Sequence, residues 1–134
     1  MSSFTSELVV QALDDSKWKV AEEFNYNIGA ADSHKAVEVP VGFITDFASI
    51  PRPLWVLLPP WGKYGKAAVI HDFMYTEHKH SIHSAEGVES FVQIDRKQAD
   101  DIFLEAMGVL GVGVITRYAM YYAVRAFGTI PWND

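Results

Sequence analysis

The stretch Gly65-Lys-Ala-Ala-Val-Ile-His71-Asp72-Phe-Met-Tyr75 marks the change from a strand pattern to a helical pattern in this sequence. Before it, apolar and polar side chains tend to alternate, whereas after it apolar residues recur at intervals of three and four. Apolar residues with this spacing are typical of amphipathic helices. We predict three helices, over about residues 66–77, 96–110 and 114–127.

The ends of two of these helices carry residues that favour helix termini. Asp95 precedes the second helix, where its side chain can accept a hydrogen bond from an N–H group of the first turn. Gly128 follows the third helix, where glycine favours the C′ position. Both residues support the predicted helix boundaries.

The part of the chain before Gly65 is predicted to be β structure. Residues 17–28 alternate with a period of two, apart from Glu22, and residues 8–13 can form an antiparallel partner strand after a turn at residues 14–16. The apolar side of residues 17–28 consists of Trp18, Val20, Phe24, Tyr26 and Ile28. A second β stretch follows, with Val37, Val39, Val41, Phe43 and Phe47 on one face. Pro40 cannot donate a ladder hydrogen bond, so this stretch is either an edge strand or two short strands.

Two segments between these elements carry weaker patterns. Residues 54–58 are predicted to form a short apolar turn of helix between prolines, and the polar residues 78–91 are predicted to form a loop. The fold class is therefore α+β, with an N-terminal antiparallel β-hairpin or small sheet followed by a three-helix C-terminal half. One domain over residues 1–134 accommodates a β-rich part at about 1–50 and a helical part at about 51–128, which carries the candidate site.

Composition narrows the range of functions. The chain has no cysteine, which excludes disulfides and thiolate metal sites and favours a cytosolic setting. A net charge of −6 without a cluster of Lys and Arg argues against nucleic acid as a partner. The longest uncharged apolar stretch, residues 106–116, is shorter than the roughly 20 residues that span a bilayer, and no Sec-type signal pattern is present. We expect no transmembrane segment and no organic cofactor.

His71 and Asp72 are the first candidate functional residues. His71 shares a helix face with Ala68 and Tyr75, whereas Asp72 lies about 100° around the helix. The small residues one turn before His71 would let a second element approach closely. His71 is either a partly buried histidine satisfied by one hydrogen bond or a base in a site between two helices.

Asp100 is the most informative acidic residue, because it lies on the apolar face of the second predicted helix with Phe103 and Met107. A carboxylate buried there without a partner would be strongly disfavoured. Arg96, one turn earlier, could form a structural salt bridge with it. Alternatively, Asp100 could orient His71 through one ring nitrogen, so that the other nitrogen acts as a base on water. Asp101 is expected on the solvent-exposed face.

Asp46 and Asp72 are the candidate metal ligands. Asp46, at the end of the β part, is either a turn residue or joins Asp72 as an oxygen ligand for a hard cation such as Ca²⁺ or Mg²⁺. Arg52 could neutralise an anionic group or pair with Asp46. Arg52 and Tyr64 are the candidate substrate-binding residues.

Two other clusters invite functional interpretations. The histidines at positions 78, 80 and 83 could bind a transition metal, although a solvated loop is the simpler interpretation. The aromatic residues Tyr118, Tyr121 and Tyr122 could line a groove with Arg125, although aromatic helix faces are more often core.

Three stretches resemble a family of short phage and prophage proteins catalogued as a domain of unknown function. They are Val39-Pro-x-Gly-Phe-x-Thr-Asp46-Phe-Ala-Ser-Ile-Pro-Arg52, Gly62-Lys-Tyr-Gly-Lys-Ala-Ala-x-x-His71-Asp72 and Arg96-Lys-x-Ala-Asp100. The resemblance covers about residues 37–128. It implies a viral or prophage origin and brings no activity with it.

A second resemblance is shorter and covers about residues 65–107. His71-Asp72-x-x-Tyr75, followed by Ala99-Asp100-x-x-Phe103, is similar to the catalytic helices of phospholipase A2, especially the disulfide-free domain of parvovirus capsids. The resemblance implies that His71 activates water and Asp100 orients His71, while Asp72 holds Ca²⁺ and Tyr75 donates a hydrogen bond to Asp100. The glycine-rich calcium loop of that family has no clear counterpart before His71.

Two hypotheses about function follow. The first is a metal-assisted hydrolase of ester or amide bonds in lipid or cell envelope, which requires His71 and Asp100 within hydrogen-bonding distance. The second is a noncatalytic virion or tail component or a host-interaction protein, with other phage structural proteins as partners and the same residues in a sealed polar network. Either protein would be found in the cytoplasm of a bacterial host, in the virion, or in both.

Overall fold

The structure is a computed structural model that describes residues 3–4, 10–12, 18–29, 34–45, 49–50, 53, 65–84 and 87–133. In chain order its elements are β1 (Ser3–Phe4), β2 (Val10–Ala12), β3 (Trp18–Val20), β4 (Phe24–Asn27), β5 (Lys35–Val39), β6 (Ile44–Thr45), α1 (Gly65–Glu77), β7 (Lys79–Ser84), β8 (Gly87–Gln93), α2 (Arg96–Val109), α3 (Val114–Phe127) and α4 (Thr129–Asn133). Antiparallel strands precede α1, the strands β7 and β8 lie between α1 and α2, and α4 follows the three helices that were predicted. The predicted α+β class is confirmed. None of the helices in these ranges is long and apolar enough to cross a bilayer.

The alternating segment from Trp18 to Ile28 contributes to two sheets. β3 lies between β2 and β6 in a three-stranded sheet, whereas β4 lies between β1 and β5 in a five-stranded sheet of order β1-β4-β5-β7-β8. Glu22, the one break in the alternation, is exposed between the two strands. The predicted hairpin partner is confirmed, since Val10 pairs with Val20 and β2 runs antiparallel to β3.

The second predicted β stretch forms two short strands, which is one of the two alternatives that Pro40 allowed. β5 ends at Val39, directly before Pro40, and β6 begins at Ile44 in the other sheet. Val37 and Val39 are buried, whereas Val41 is 61% exposed and does not share their face. Phe47 and the predicted turn of helix at residues 54–58 lie outside the described residues.

The prediction of a loop over residues 78–91 is wrong, because β7 and β8 form an antiparallel hairpin there. The chain enters it through His78, which has a left-handed φ of 57°. Residues Ala36 and Lys35 of β5 pair with Ser81 and Ile82, so the sheet satisfies backbone groups that a loop would leave to water. β8 is an edge strand of the five-stranded sheet, and its polar residues Ser90 and Gln93 are exposed.

Helix α1 lies in the centre of the core. Ten of its thirteen residues are buried, namely Gly65 and the nine residues 67–75. It contacts β5, β6, α2 and α4, and Ala67 and Ala68 have no exposed surface. The opposing face of α2 is apolar except for Asp100, so the two helices bury His71 and Asp100 between them.

The helix ends agree with the predicted boundaries but differ in one detail. The Asp95 side chain accepts a hydrogen bond from the backbone N–H of Gln98. The Gln98 side chain accepts one from the backbone N–H of Asp95, which completes a capping box. Gly128 occupies the C-cap of α3 with φ −78°, one position earlier than predicted and not left-handed. Its role is close packing, because a Cβ there would lie 2.5 Å from the Val124 carbonyl oxygen and 2.8 Å from Arg96 Nη1, and against the Tyr75 hydroxyl.

Candidate functional site

His71 joins two side chains through its two ring nitrogens. Nε2 lies 2.8 Å from Oδ1 of Asp100, and Nδ1 lies 3.0 Å from Oγ of Ser49. His71 and Asp100 are 0% exposed and Ser49 is 1% exposed. The helical spacing that placed His71 and Asp100 on facing apolar surfaces thus brings them within hydrogen-bonding distance, as the hydrolase hypothesis requires.

Asp100 receives hydrogen bonds from several donors besides His71. The Tyr75 hydroxyl donates to Oδ1 at 2.6 Å, and Arg125 Nη1 donates to Oδ2 at 2.9 Å. Arg96, the structural partner considered from sequence, also lies 3.6 Å from Oδ2. His71 and Arg96, the two partners considered from sequence, therefore both contact Asp100. Arg125 is a third partner, which the sequence analysis had placed beside the tyrosines of the third helix.

These contacts fix the ionisation states of Asp100 and Tyr75. Burial by itself would raise the pKa of Asp100, but the hydrogen bonds from His71, Tyr75 and Arg125 outweigh it and hold that pKa below its usual range. Burial, together with the hydrogen bond to Asp100, raises the pKa of Tyr75 far above its usual value. Asp100 is therefore a carboxylate at neutral pH, and Tyr75 remains a protonated donor.

Two aromatic rings hold the imidazole of His71 in place. The ring of Tyr75 lies 4.2 Å from it, centroid to centroid, at an interplanar angle of 39°. The ring of Phe103 lies 4.4 Å away at 36°. Because these contacts limit ring rotation, the imidazole keeps Nε2 on Asp100 and Nδ1 on Ser49.

Asp72 connects Thr45 of β6 and Ser49 to helix α1. Its Oδ2 accepts a hydrogen bond from the Thr45 hydroxyl at 2.5 Å, and its Oδ1 accepts one from the Ser49 amide at 3.3 Å. Asp72 thus holds the backbone of Ser49, while His71 contacts the hydroxyl of the same residue. The adjacent His71 and Asp72 point in different directions on α1, yet both act on Ser49.

The described contacts of Asp72 are hydrogen bonds from protein groups. Ca²⁺ takes six to eight oxygen ligands, whereas both oxygens of Asp72 accept hydrogen bonds from protein donors and the residue is 7% exposed. Within the described ranges, no three residues among His, Asp and Glu are grouped to hold an ion. Asp46, the other candidate ligand, lies outside those ranges. A cation at Asp72 stays a prediction.

The candidate substrate-binding residues Arg52 and Tyr64 also lie outside the described residues. Of the candidate histidine cluster, His78 Nε2 contacts the carbonyl oxygen of Trp132, and His80 Nδ1 contacts that of Ser81. Stacking on Trp132 at 3.7 Å further fixes His78. Both histidines therefore have structural partners.

The aromatic residues of α3 are more exposed than a core face would be. Tyr118 is 42% exposed and Tyr122 is 64% exposed. The Tyr121 hydroxyl donates a hydrogen bond to Asp101 at 2.6 Å, which raises the pKa of Tyr121 to about 12. Asp101 also pairs with Lys97 at 2.8 Å on the solvent-exposed side, as predicted. Arg125, on the same helix, donates a hydrogen bond to Asp100.

Two cavities have walls made of described residues, and neither includes His71. One, of about 280 Å³, lies between β5, α1 and the β7–β8 hairpin. The other, of about 610 Å³, lies between α2 and α3. These two cavities thus lie away from His71, which has no exposed surface.

Sequence reasoning missed Ser49 and Thr45 as members of the site. Both occur in the quoted stretch around Asp46, where two hydroxyl residues four positions apart flank the end of the β part. Their partners are 22 and 27 residues further along the chain, so no local pattern connects them with His71 and Asp72.

Comparison with known proteins identifies a family that the chain matches. A family model described as "Protein of unknown function (DUF1353)" matches residues 18–124, which include every described member of the site except Arg125. No curated protein and no solved structure matches the chain.

Proposed function

The chain belongs to the DUF1353 family of proteins of unknown function, and we propose that it is a hydrolase of ester or amide bonds in lipid or cell envelope. The observation that carries this proposal is the hydrogen-bonded series Ser49, His71, Asp100. A base, a group that orients it and a hydroxyl on its other ring nitrogen are three of the parts that acyl transfer to water uses.

In the proposed reaction His71 is neutral and carries its proton on Nε2. This tautomer donates to Asp100 and leaves the lone pair of Nδ1 directed at Ser49, 3.0 Å away. His71 then accepts a proton from the attacking nucleophile through Nδ1. The Asp100 carboxylate stabilises the imidazolium that forms, as the acidic member of a catalytic triad does.

The neighbours of Asp100 suit it to this role. Tyr75 and Arg125 donate to it, so that it stays ionised although it is completely buried. An ionised carboxylate next to Nε2 favours the tautomer with the free lone pair on Nδ1. Tyr75 and Arg125 are positioning residues in this proposal, since each acts on His71 through Asp100.

The proposed setting is a phage or prophage, as the resemblance of the three sequence stretches implies. Lipid and cell envelope are the ester- and amide-containing barriers that such a protein meets. They are therefore the substrate classes to test first.

The burial of the site favours a second candidate function. His71 and Asp100 are 0% exposed, as in a polar network that only fixes the packing of two helices. In that case the protein is a noncatalytic virion, tail or host-interaction component. The two candidates differ in whether His71 is needed for turnover by a correctly folded protein.

The deciding experiment compares wild type with His71→Ala on ester substrates, phospholipid vesicles and peptidoglycan, with added Ca²⁺ and with a chelator. His80→Ala is the matched control, because His80 lies outside the network and contacts Ser81. The proposal predicts turnover by wild type and His80→Ala and a loss of at least about 100-fold in His71→Ala per folded molecule. Absence of turnover by wild type on all three substrate classes contradicts it and favours the noncatalytic candidate.

A further inference from the structure

We propose that the hydroxyl of Ser49, and not a water molecule, is the nucleophile that attacks the substrate carbonyl. This inference rests on the proposed hydrolase function and names its reactive atom. It starts from the position of Ser49 Oγ, 3.0 Å from the ring nitrogen of His71 that does not contact Asp100.

The Ser49 hydroxyl occupies the place that a base-activated water would need. Nδ1 of a neutral imidazole has one lone pair, directed outward in the ring plane. With Ser49 Oγ at 3.0 Å from Nδ1, that lone pair already has a protein hydroxyl to deprotonate. Water could take this role only after Ser49 had moved away from His71.

Several contacts fix Ser49 in this position. Its amide donates to Asp72 Oδ1, and the other oxygen of Asp72 accepts from the Thr45 hydroxyl. The base is fixed too, because Asp100 holds Nε2 and the rings of Tyr75 and Phe103 lie against the imidazole. Nucleophile and base are thus oriented before any substrate binds, a condition for efficient intramolecular proton transfer.

The proposed reaction consumes only the substrate and one water molecule. Ser49 Oγ forms a bond to the carbonyl carbon while its proton passes to His71 Nδ1, and the carbonyl π electrons move to oxygen. The tetrahedral intermediate collapses, and the leaving alcohol or amine takes the proton from Nδ1. Water then attacks the acylated Ser49, gives one proton to Nδ1, and releases the acid as Ser49 regains that proton. The net reaction is hydrolysis of one ester or amide bond.

The orientation of the ring distinguishes this arrangement from familiar serine hydrolases. In the chymotrypsin type, Nε2 faces the serine and Nδ1 faces the aspartate, whereas here Nδ1 faces Ser49 and Nε2 faces Asp100. A triad is recognised by the roles of its members and not by their order in sequence. Both arrangements place one nitrogen on a hydroxyl and the other on a carboxylate.

The burial of Ser49 limits how fast a substrate or reagent can reach its hydroxyl. Because Ser49 is 1% exposed, a substrate or reagent reaches Oγ only when the structure around it opens locally. Small reagents are therefore expected to modify Ser49 slowly, with a rate that depends on His71.

The test uses the full chain and a small fluorophosphonate, which transfers its phosphonyl group to an activated serine. We expect one adduct by intact mass, mapped to Ser49, in wild type and in the control Asp101→Asn. Ser49→Ala should give no adduct, and His71→Ala should be labelled at least about 10-fold more slowly. Absence of labelling of wild type, or labelling at the same rate without His71, overturns the inference.

Measurements of turnover distinguish a serine nucleophile from a water nucleophile. If wild type hydrolyses a substrate and folded Ser49→Ala hydrolyses it at the same rate, water is the nucleophile and the inference fails while the hydrolase stands. If wild type hydrolyses no tested substrate but is labelled at Ser49 in a His71-dependent way, the substrate classes are wrong and the nucleophile stands. Ser49→Cys serves if Ser49→Ala does not fold, because alkylation of the introduced thiol by iodoacetamide should then also slow at least about 10-fold without His71.

Discussion

The Nε2 atom of His71 lies 2.8 Å from Oδ1 of Asp100, and neither side chain has any exposed surface. Two arginines approach the other oxygen of the same carboxylate. Removing one of these charged side chains leaves the opposite charge buried without a partner. This destabilises the fold more than the loss of a surface ion pair does. The pair therefore affects stability as well as the proposed chemistry, and each effect can be measured separately.

Asp100→Asn should destabilise the fold by about 3 kcal/mol, since the amide keeps the size of the side chain but removes the charge that faces Arg125. Chemical denaturation measures the free energy of unfolding directly. Asp101→Asn is the matched control one residue away, on the exposed side of α2. It should change stability by no more than about 0.5 kcal/mol, and equal losses in both variants would contradict the role assigned to Asp100.

The stabilising effect of Asp100 should depend on pH. Because its pKa is lower in the folded protein than in the unfolded chain, its ionisation adds stability above the unfolded pKa of about 3.9. That stability is lost as the pH falls through the lower, folded pKa. The difference in melting temperature between wild type and Asp100→Asn should thus be constant near neutral pH and shrink below about pH 4. A difference that grows on acidification would contradict this assignment.

Gly128→Ala should disturb the site from outside it. The added Cβ would lie 2.8 Å from Arg96 Nη1 and against the Tyr75 hydroxyl, both of which contact Asp100. We expect a loss of about 1–3 kcal/mol in the free energy of unfolding, as for other overpacked positions. Gly113→Ala is the control, because a Cβ there meets no atom within 4 Å and should cost no more than about 0.5 kcal/mol. Equal stability of the two variants would show that the close approach at Gly128 does not exist.

Asp72→Asn should slow fluorophosphonate labelling of Ser49. The Thr45 hydroxyl and the Ser49 backbone N–H donate to different oxygens of Asp72, and in asparagine an NH2 donor replaces one of these two acceptors. We expect labelling to slow at least about 10-fold, with a loss of stability of about 1–3 kcal/mol. Unchanged labelling would mean that Asp72 does not position Ser49.

The helices could be predicted from sequence because their apolar spacing continues for three or four turns. The predicted starts of α2 and α3 agree with the structure, and Asp95 caps α2 as expected. The β part was harder, because short strands carry less pattern. A single interruption at Glu22 separates two strands of different sheets, and the polar β7–β8 hairpin resembles a loop in sequence.

Only the residues that α1 and α2 contribute to the candidate site could be predicted from sequence. Asp100 is an acid on an apolar helix face and His71 lies on the buried face of another helix, whereas the contact of Tyr75 with Asp100 was implied only by the resemblance to phospholipase A2. Ser49 and Thr45 could not be predicted, because a single hydroxyl outside a helix carries no periodic signal. Arg125 contacts Asp100 from α3, 25 residues away, and only the packing of the helices brings it there.

Turnover by Asp100→Asn, expressed per folded molecule, tests most directly whether the buried pair of His71 and Asp100 performs chemistry. The variant keeps a hydrogen-bond acceptor near Nε2 but lacks the carboxylate that would stabilise the imidazolium. On a substrate that wild type hydrolyses, we predict a rate at least about 100-fold lower than that of wild type. A rate equal to that of wild type, with the folded fraction accounted for, would show that the pair only holds the two helices together.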